Sequence, residues 1–267
     1  MKKIRVFVAG AGGKMGKEVL RTILNQEDMQ LVGASDTRHQ GMDIGYMIGA
    51  PRLGMDVSGP LEASHLRDSQ AEVLVDFTNP QSVLKDAKCA ISAGVIPVIG
   101  TTGLDETEIS ELRELVDREK TGAFIAPNFA IGAILMMRFA QEAAKYFPHV
   151  EIVELHHDQK LDAPSGTALK TVDWISEVRK PMVQGHPNEY EKIAGARGAD
   201  VEGVHIHSVR LPGLVAHQEV IFGGLGQALT IRHDAYSRET YMPGVMLAIR
   251  KACNLTNLVI GLENFLD

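Results

Sequence analysis

The densest reactive chemistry in the chain lies in Glu154-Leu155-His156-His157-Asp158-Gln159-Lys160-Leu161-Asp162-Ala163-Pro164-Ser165-Gly166-Thr167-Ala168. His156, His157 and Lys160 can move protons near neutral pH, the lysine once its surroundings lower its pKa. Ser165, Gly166 and Thr167 open a predicted helix, where hydroxyls and uncapped N–H groups suit a carboxylate or phosphate. Cations and a helix N-terminus this close together describe a pocket for a small anion. Plainer readings stand beside this one. Ser165 or Thr167 also serves as a helix cap, and a lone histidine also serves a structural role. Adjacent His156 and His157 suggest metal, but no third ligand stands at a recognisable spacing, so no metal is assigned. His205 and His207 share one strand face and read as a surface or interface pair, and His217 and His233 are undecided.

A second constellation follows the first predicted strand, in Gly10-Ala11-Gly12-Gly13-Lys14-Met15-Gly16. The usual dinucleotide spacing fails because Met15 stands where a glycine belongs. G-x-x-G-x-x-G through Gly10, Gly13 and Gly16 fits instead. Such a loop gives a tight turn, a surface without Cβ atoms and helix N–H groups aimed at a pyrophosphate. It also serves as a simple strand-to-helix turn. Asp36, just beyond the second strand, supplies the acid expected for the adenosine ribose. Arg38 beside it can accept a 2′-phosphate, or with His39 can form a solvated turn, so use of both NADH and NADPH is expected. Gly100-Thr101-Thr102-Gly103 and Ala126-Pro127-Asn128-Phe129 follow later strands and suit the nicotinamide end, although each also reads as a turn.

The elements that must hold these residues come in two rhythms. Strands at Ile4 to Ala9, Leu31 to Ala34, Glu72 to Phe77, Val95 to Ile99 and Gly122 to Ala126 alternate with helical stretches. Continuous apolar strands alternating with helices predict a Rossmann-like, doubly wound α/β domain with a parallel sheet. Beyond Pro127-Asn128 a helix from Ile131 to Phe147, a strand from Val150 to Leu155 and a helix from Ser165 to Arg179 precede three strands with little helix between them. These strands, Val204 to Leu211, His217 to Phe222 and Ala228 to His233, predict a second α+β domain with a mixed or antiparallel sheet. The boundaries follow: 1–129 for the dinucleotide domain, 130–237 for substrate binding and oligomerisation, and 238–267 returning to the first through a helix from Pro243 to Cys253. A cleft that closes over the substrate is expected between them. The polar, glycine-rich segment 184–200 reads as a mobile loop.

Composition sets the outer limits. The 267 residues carry a net charge of −7, which argues against a general nucleic-acid surface while leaving room for a local basic pocket. No apolar run is long enough to span a bilayer, and Met1-Lys2-Lys3-Ile4 enters a strand pattern rather than a signal-peptide core. Cys89 and Cys253 cannot make a disulfide framework, so a reducing cytoplasm is the expected setting. Another two-domain dehydrogenase acting on an amino acid or sugar, and a nucleotide-sensing module without catalysis, both keep the first domain. The second of these leaves the histidine–lysine segment without a role.

Taken together, the glycine loop with Val8-Ala9 before it, Gly100 to Gly103, Ala126 to Phe129 and the Glu154 to Ala168 segment closely resemble the 4-hydroxy-tetrahydrodipicolinate reductases, long called dihydrodipicolinate reductases. Arg210-Leu211-Pro212-Gly213 and His217-Gln218-Glu219-Val220 add to the resemblance, which covers essentially the whole chain. It implies an NAD(P)H-dependent step of diaminopimelate and lysine biosynthesis on a small dicarboxylate, and a homotetramer assembled through the second-domain sheets. It makes His156 the proton donor and acceptor, Lys160 the proton donor and His157 a substrate-binding residue. Ser165, Gly166 and Thr167 would hold a substrate carboxylate. The cofactor would meet Gly10, Ala11, Gly12, Gly13, Lys14, Met15 and Gly16, then Asp36 and Arg38, then Gly100, Thr101 and Thr102, and finally Ala126, Pro127, Asn128 and Phe129. Some members carry Glu-Arg beyond the second strand where this chain has Asp36-Thr37-Arg38, which leaves the coenzyme preference open.

Overall fold

The computed structural model describes residues 2–266; Met1 and Asp267, at the outer ends of the ranges given above to the first domain, lie outside the described residues. The chain divides into two units, one running up to Ala130 and resuming from Tyr241 onward, the other spanning Ile131–Thr240.

In chain order the first unit contributes β1 (Ile4–Ala9), α1 (Lys14–Leu24), β2 (Met29–Ser35), α2 (Ile44–Ile48), α3 (Ala63–Asp68), β3 (Val73–Asp76), α4 (Val83–Ser92), β4 (Ile96–Ile99), α5 (Glu106–Glu119) and β5 (Ala123–Ile125). The second contributes α6 (Ile131–Ala144), β6 (His149–His156), α7 (Gly166–Val178), β7 (Ala199–Val201), β8 (Val204–Arg210), β9 (Ala216–Gly224) and β10 (Gln227–Ala235). The chain then returns to the first unit with α8 (Met242–Ala252) and β11 (Leu258–Ile260).

The first unit is a six-stranded sheet in the order β11-β5-β4-β3-β1-β2, with every neighbouring pair parallel. Its strands are mainly apolar because helices cover the sheet: Val6, Val8, Val73, Leu74, Val75 and Val98 are each 0% exposed. Strand order reverses between β1 and β3, and sheets of this kind bind ligands at the carboxyl ends of the strands beside such a reversal. The glycine loop leaves β1 at that point.

The second unit is a five-stranded sheet in the order β10-β9-β6-β8-β7. Helices α6 and α7 pack on each other, and α6 also packs on β9 and β10. The expected strands are there, but β6 and β8 run parallel, because α7 makes the crossover between them. The remaining pairs are antiparallel. Residues along β6 alternate from His149 to Leu155. Val150, Ile152 and Glu154 are buried, and Glu151, Val153 and Leu155 are half-buried. The latter face carries charge, with His207 Nε2 on Glu151 at 2.8 Å, Arg232 on Glu219 at 2.8 Å and His217 on Asp234 at 2.7 Å. Segment 184–200 ends in β7, and the Gln184 amide bridges it to the backbone of Val150 and Gly203.

Candidate active site

At the β1–α1 turn, Gly10 takes φ +73°, and a Cβ there would strike the Phe77 carbonyl. Gly16 sits where its helix meets the backbone of Gly10 and Ala11, and Ala11 itself is fully buried. Both positions close the turn onto the sheet. Gly13 is the N-cap of α1 and supplies no side-chain cap, and the first turn of α1 carries no acid. Its leading N–H groups are therefore available to an anion.

Asp36 is tied into this loop. One oxygen accepts from Gly12 N at 2.9 Å; the other accepts from Arg38 N at 2.9 Å and His39 Nδ1 at 2.7 Å. Burial pulls the Asp36 carboxyl upward, but these hydrogen bonds outweigh it and hold the group below its ordinary value. A carboxylate offers about four lone-pair directions, so the charged group keeps capacity for one hydroxyl. Gly10, Gly12, Gly13, Asp36, Arg38 and His39 line one cavity of about 400 Å³ together with Thr78, Lys85 and Asp86. Arg38 and Lys85 are exposed cations there.

The other first-unit residues expected at the cofactor do not line this cavity. The Thr101 hydroxyl donates to Asp76 Oδ1 at 2.7 Å, beside the Thr78 N–H at 3.0 Å and hydroxyl at 2.8 Å. Asp76 thus pins the loops after β3 and β4. Phe129 is 3% exposed and packs against Phe77 and Phe124, so its ring belongs to the core of the unit. Ala126 N donates to Ile99 O, and Asn128 Oδ1 accepts from Ala130 N. Gly100, Thr102 and Pro127 stand by them in the same loops, with Thr102 and Pro127 exposed. Lys14 is exposed and Met15 half-buried at the start of α1.

In the second unit, His156 ends β6 with Nδ1 2.6 Å from Glu154 Oε2. Arg210 ends the adjacent β8 and reaches both oxygens of Glu154, at 2.8 and 2.7 Å, while Ser165 N donates to Oε1 at 3.2 Å. Burial pulls Glu154 upward, but its bonds from Arg210, Ser208 and His156 hold the carboxyl below its ordinary value. Burial lowers the His156 pKa, and the charges of Lys160 and Arg210 add to that against the pull of Glu154. Lys160 Nζ lies 2.7 Å from Asp162 Oδ1.

Ser165 is 2% exposed and is the N-cap of α7, its hydroxyl accepting from Ala168 N at 3.2 Å. Both its hydroxyl and its N–H are thus engaged within the protein. Gly166 faces open space, and the first turn of α7 carries no acid. His157 is exposed and Thr167 half-exposed. The segment therefore brings His156, His157, Lys160, Gly166 and Thr167 to one end of one strand. Among the described residues no group of three or more histidine, cysteine or acidic side chains is arranged for a metal ion, and no helix is long and apolar enough to cross a membrane.

Sequence reasoning gave no role to Glu154, Arg210, Asp76, Lys85 or Asp86. For Glu154 a signal existed. It shares parity with the apolar Val150 and Ile152, so a charge stands at an inward position of an alternating strand.

The family descriptions "Dihydrodipicolinate reductase, N-terminus" and "Dihydrodipicolinate reductase, C-terminus" match residues 4–129 and 132–266. The chain belongs to the dihydrodipicolinate reductase family. It is 79% identical to the 4-hydroxy-tetrahydrodipicolinate reductase of Desulfitobacterium hafniense (strain DSM 10664 / DCB-2), over 100% of both chains. To that of Syntrophomonas wolfei it is 54% identical, over 99% of both. The dipicolinate-bound dihydrodipicolinate reductase from Paenisporosarcina sp. TG-14 superimposes with a TM-score of 0.87 at 47% identity, covering 99% of this chain and 100% of that one. An amine dehydrogenase from Mycobacterium smegmatis, at 16% identity and a TM-score of 0.67, shares the fold alone. Membership of the dihydrodipicolinate reductase family makes the chain an oxidoreductase with a Rossmann-like domain for a nicotinamide cofactor.

Proposed function

We propose that the chain reduces 4-hydroxy-tetrahydrodipicolinate to tetrahydrodipicolinate with NADH or NADPH, as a step of diaminopimelate and lysine biosynthesis. The observation that carries this reading is the gathering of His156, Lys160 and the open N-terminus of α7 at the end of β6. The substrate is a small cyclic dicarboxylate. Gly166 and Thr167 would meet one carboxylate with backbone N–H groups and a hydroxyl, with Ser165 holding that turn in shape, and His157 would meet the other.

The residues of the 400 Å³ cavity fit a dinucleotide. The α1 N-terminus suits its pyrophosphate, Asp36 keeps capacity for a ribose hydroxyl, and Arg38 and Lys85 offer positive charge to a 2′-phosphate. Gly100 to Thr102 and Ala126 to Phe129 would shape the nicotinamide end. When bound, the nicotinamide supplies the hydride. Lys160 would then deliver a proton to the charge that develops on the substrate, and His156 would give up or take one at Nε2. Having Asp36 and the two cations together supports use of both coenzymes.

The domain ranges proposed are 1–129 with 238–267 for the cofactor, and 130–237 for substrate and assembly. A homotetramer built through the second-domain sheet is supported by the charged groups on one face of it, Glu151, His207, Glu219 and Arg232 among them. A reducing cytoplasm suits the two free cysteines, Cys89 and Cys253. The test is a coupled assay in which an upstream synthase makes the substrate while NADH and NADPH oxidation are followed separately. Oxidation that depends on the synthase, with either coenzyme, is expected. Dinucleotide binding without synthase-dependent oxidation would sink the reading.

A further inference from the structure

Glu154 is 0% exposed and shares its strand face with the buried, apolar Val150 and Ile152. Burying a carboxylate with a guanidinium adds little net stability compared with apolar side chains of the same volume. The fold alone therefore gives no reason for this pair. What the carboxylate does is join three elements at one point. It accepts from Arg210 at the end of β8, from Ser165 N at the cap of α7 and from His156 Nδ1 at the end of β6.

We propose that Glu154 is the positioning residue of the proton-transfer site, fixing the His156 ring as the tautomer that carries its proton on Nδ1 and leaves Nε2 free to exchange one. The inference rests on the reading of His156 as the proton-transferring group. An ionised carboxylate can only accept, so a 2.6 Å contact obliges Nδ1 to be the donor. His156 Nε2 makes no hydrogen bond among the described residues, which leaves it available to the substrate. Protonation at Nε2 creates an imidazolium whose charge Glu154 stabilises, as the buried carboxylate does in acid–histidine pairs generally. The same carboxylate holds Ser165, so the ring and the carboxylate-binding turn of α7 share one anchor.

The charged groups facing His156 are Glu154 on its own strand, Arg210 from β8, and Lys160 from the following loop, itself paired with Asp162. In Glu154→Gln the amide oxygen still accepts from Arg210 and Ser165 N, so the fold is retained. The amide NH2 then faces Nδ1 and forces the proton onto Nε2. Arg210 loses its counter-charge, and the charges of Arg210 and Lys160 act on His156 without the opposing pull of Glu154, so the His156 pKa falls.

The experiment uses the full-length protein with 15N-labelled histidine, His156 being identified by its loss in His156→Asn. The expected result is Nδ1–H in the parent and Nε2–H in Glu154→Gln. With it come a kcat lowered about 10-fold or more at little-changed KM and a His156 limb of the pH profile moved about one pH unit toward acid. In the His156→Asn background Glu154→Gln is expected to have no further effect on kcat. Glu154→Asp keeps the charge on Arg210 but is too short to hold Nδ1 as well, and a similar fall in kcat is expected. An unchanged tautomer in Glu154→Gln, or the same fold-loss with and without His156, overturns the positioning role. The tautomer is read without substrate, so it stands or falls apart from the reductase reading itself.

Discussion

Among the described residues each unit buries one carboxylate completely near the carboxyl end of a central strand, Asp76 at the end of β3 and Glu154 near the end of β6. Their partners differ. Glu154 meets a guanidinium and an imidazole and stays below its ordinary pKa. Asp76 meets two threonine hydroxyls and an amide, has no cation, and leaves Oδ2 without a partner. Burial pushes its pKa up. Depth of burial is therefore not what decides the charge of a buried acid. Within this pair, what differs is a cation within hydrogen-bonding reach, present at Glu154 and missing at Asp76. The second unit keeps a charged anchor beside its proton-transfer residues, whereas the first uses a carboxyl as a fixed point for two loops.

The widest test of that contrast separates chemistry from cofactor binding. His156→Ala and Lys160→Ala are each expected to lower kcat by about 100-fold or more, with the dissociation constant for NADH or NADPH within about twofold of the parent. Steady-state kinetics and a fluorescence titration with dinucleotide check it. Near-parent kcat in both variants would remove proton transfer from this region.

Next in size is the stability of the charged anchor. Arg210→Ala leaves Glu154 buried with no strong cation, and a loss of about 3 kcal/mol is expected at neutral pH. Urea denaturation measures it. A loss below about 0.5 kcal/mol would mean that Glu154 does not depend on Arg210 for its charge.

Much of this arrangement is legible in the amino-acid sequence. The mainly apolar runs Ile4 to Ala9 and Val95 to Ile99 read as buried strands, and the glycines after Ala9 as a tight turn onto a helix. The His156 to Thr167 segment stood out because its residue types and its place before a helix agreed. What escaped depends on contacts distant in sequence. Arg210 lies 56 residues from the glutamate it neutralises, so no local pattern pairs them. The hydroxyl of Thr101 turns to Asp76, 25 residues away, a contact that no local pattern announces. The short β11 was missed because its Leu258–Ile260 pairing with β5 is tertiary and too brief to leave a periodic signal.

The smallest expected effect tests the first unit's side of the contrast. Asp86 lines the cavity and is 6% exposed, and its carboxyl makes no hydrogen bond among the described residues. Burial, with the charge of Asp76 adding to it, pushes its carboxyl from the ordinary 3.8 to about 7, against a small opposing pull from Lys85. A folded-state pKa above the unfolded one means that the folded protein holds more protons between those values. The contribution of Asp86 to stability therefore falls as pH rises from about 4 to about 7, and that loss is complete above the range. Asp86→Asn removes the titration while keeping the shape. The variant is expected to gain roughly 2 kcal/mol more over the parent at pH 8 than at pH 5. Urea denaturation of both proteins at the two pH values measures the difference. Parallel pH dependence would show that Asp86 finds a stabilising partner and is ionised like an ordinary surface acid. The distinction between a carboxylate held by a cation and carboxyls held without one would then rest on Asp76 alone.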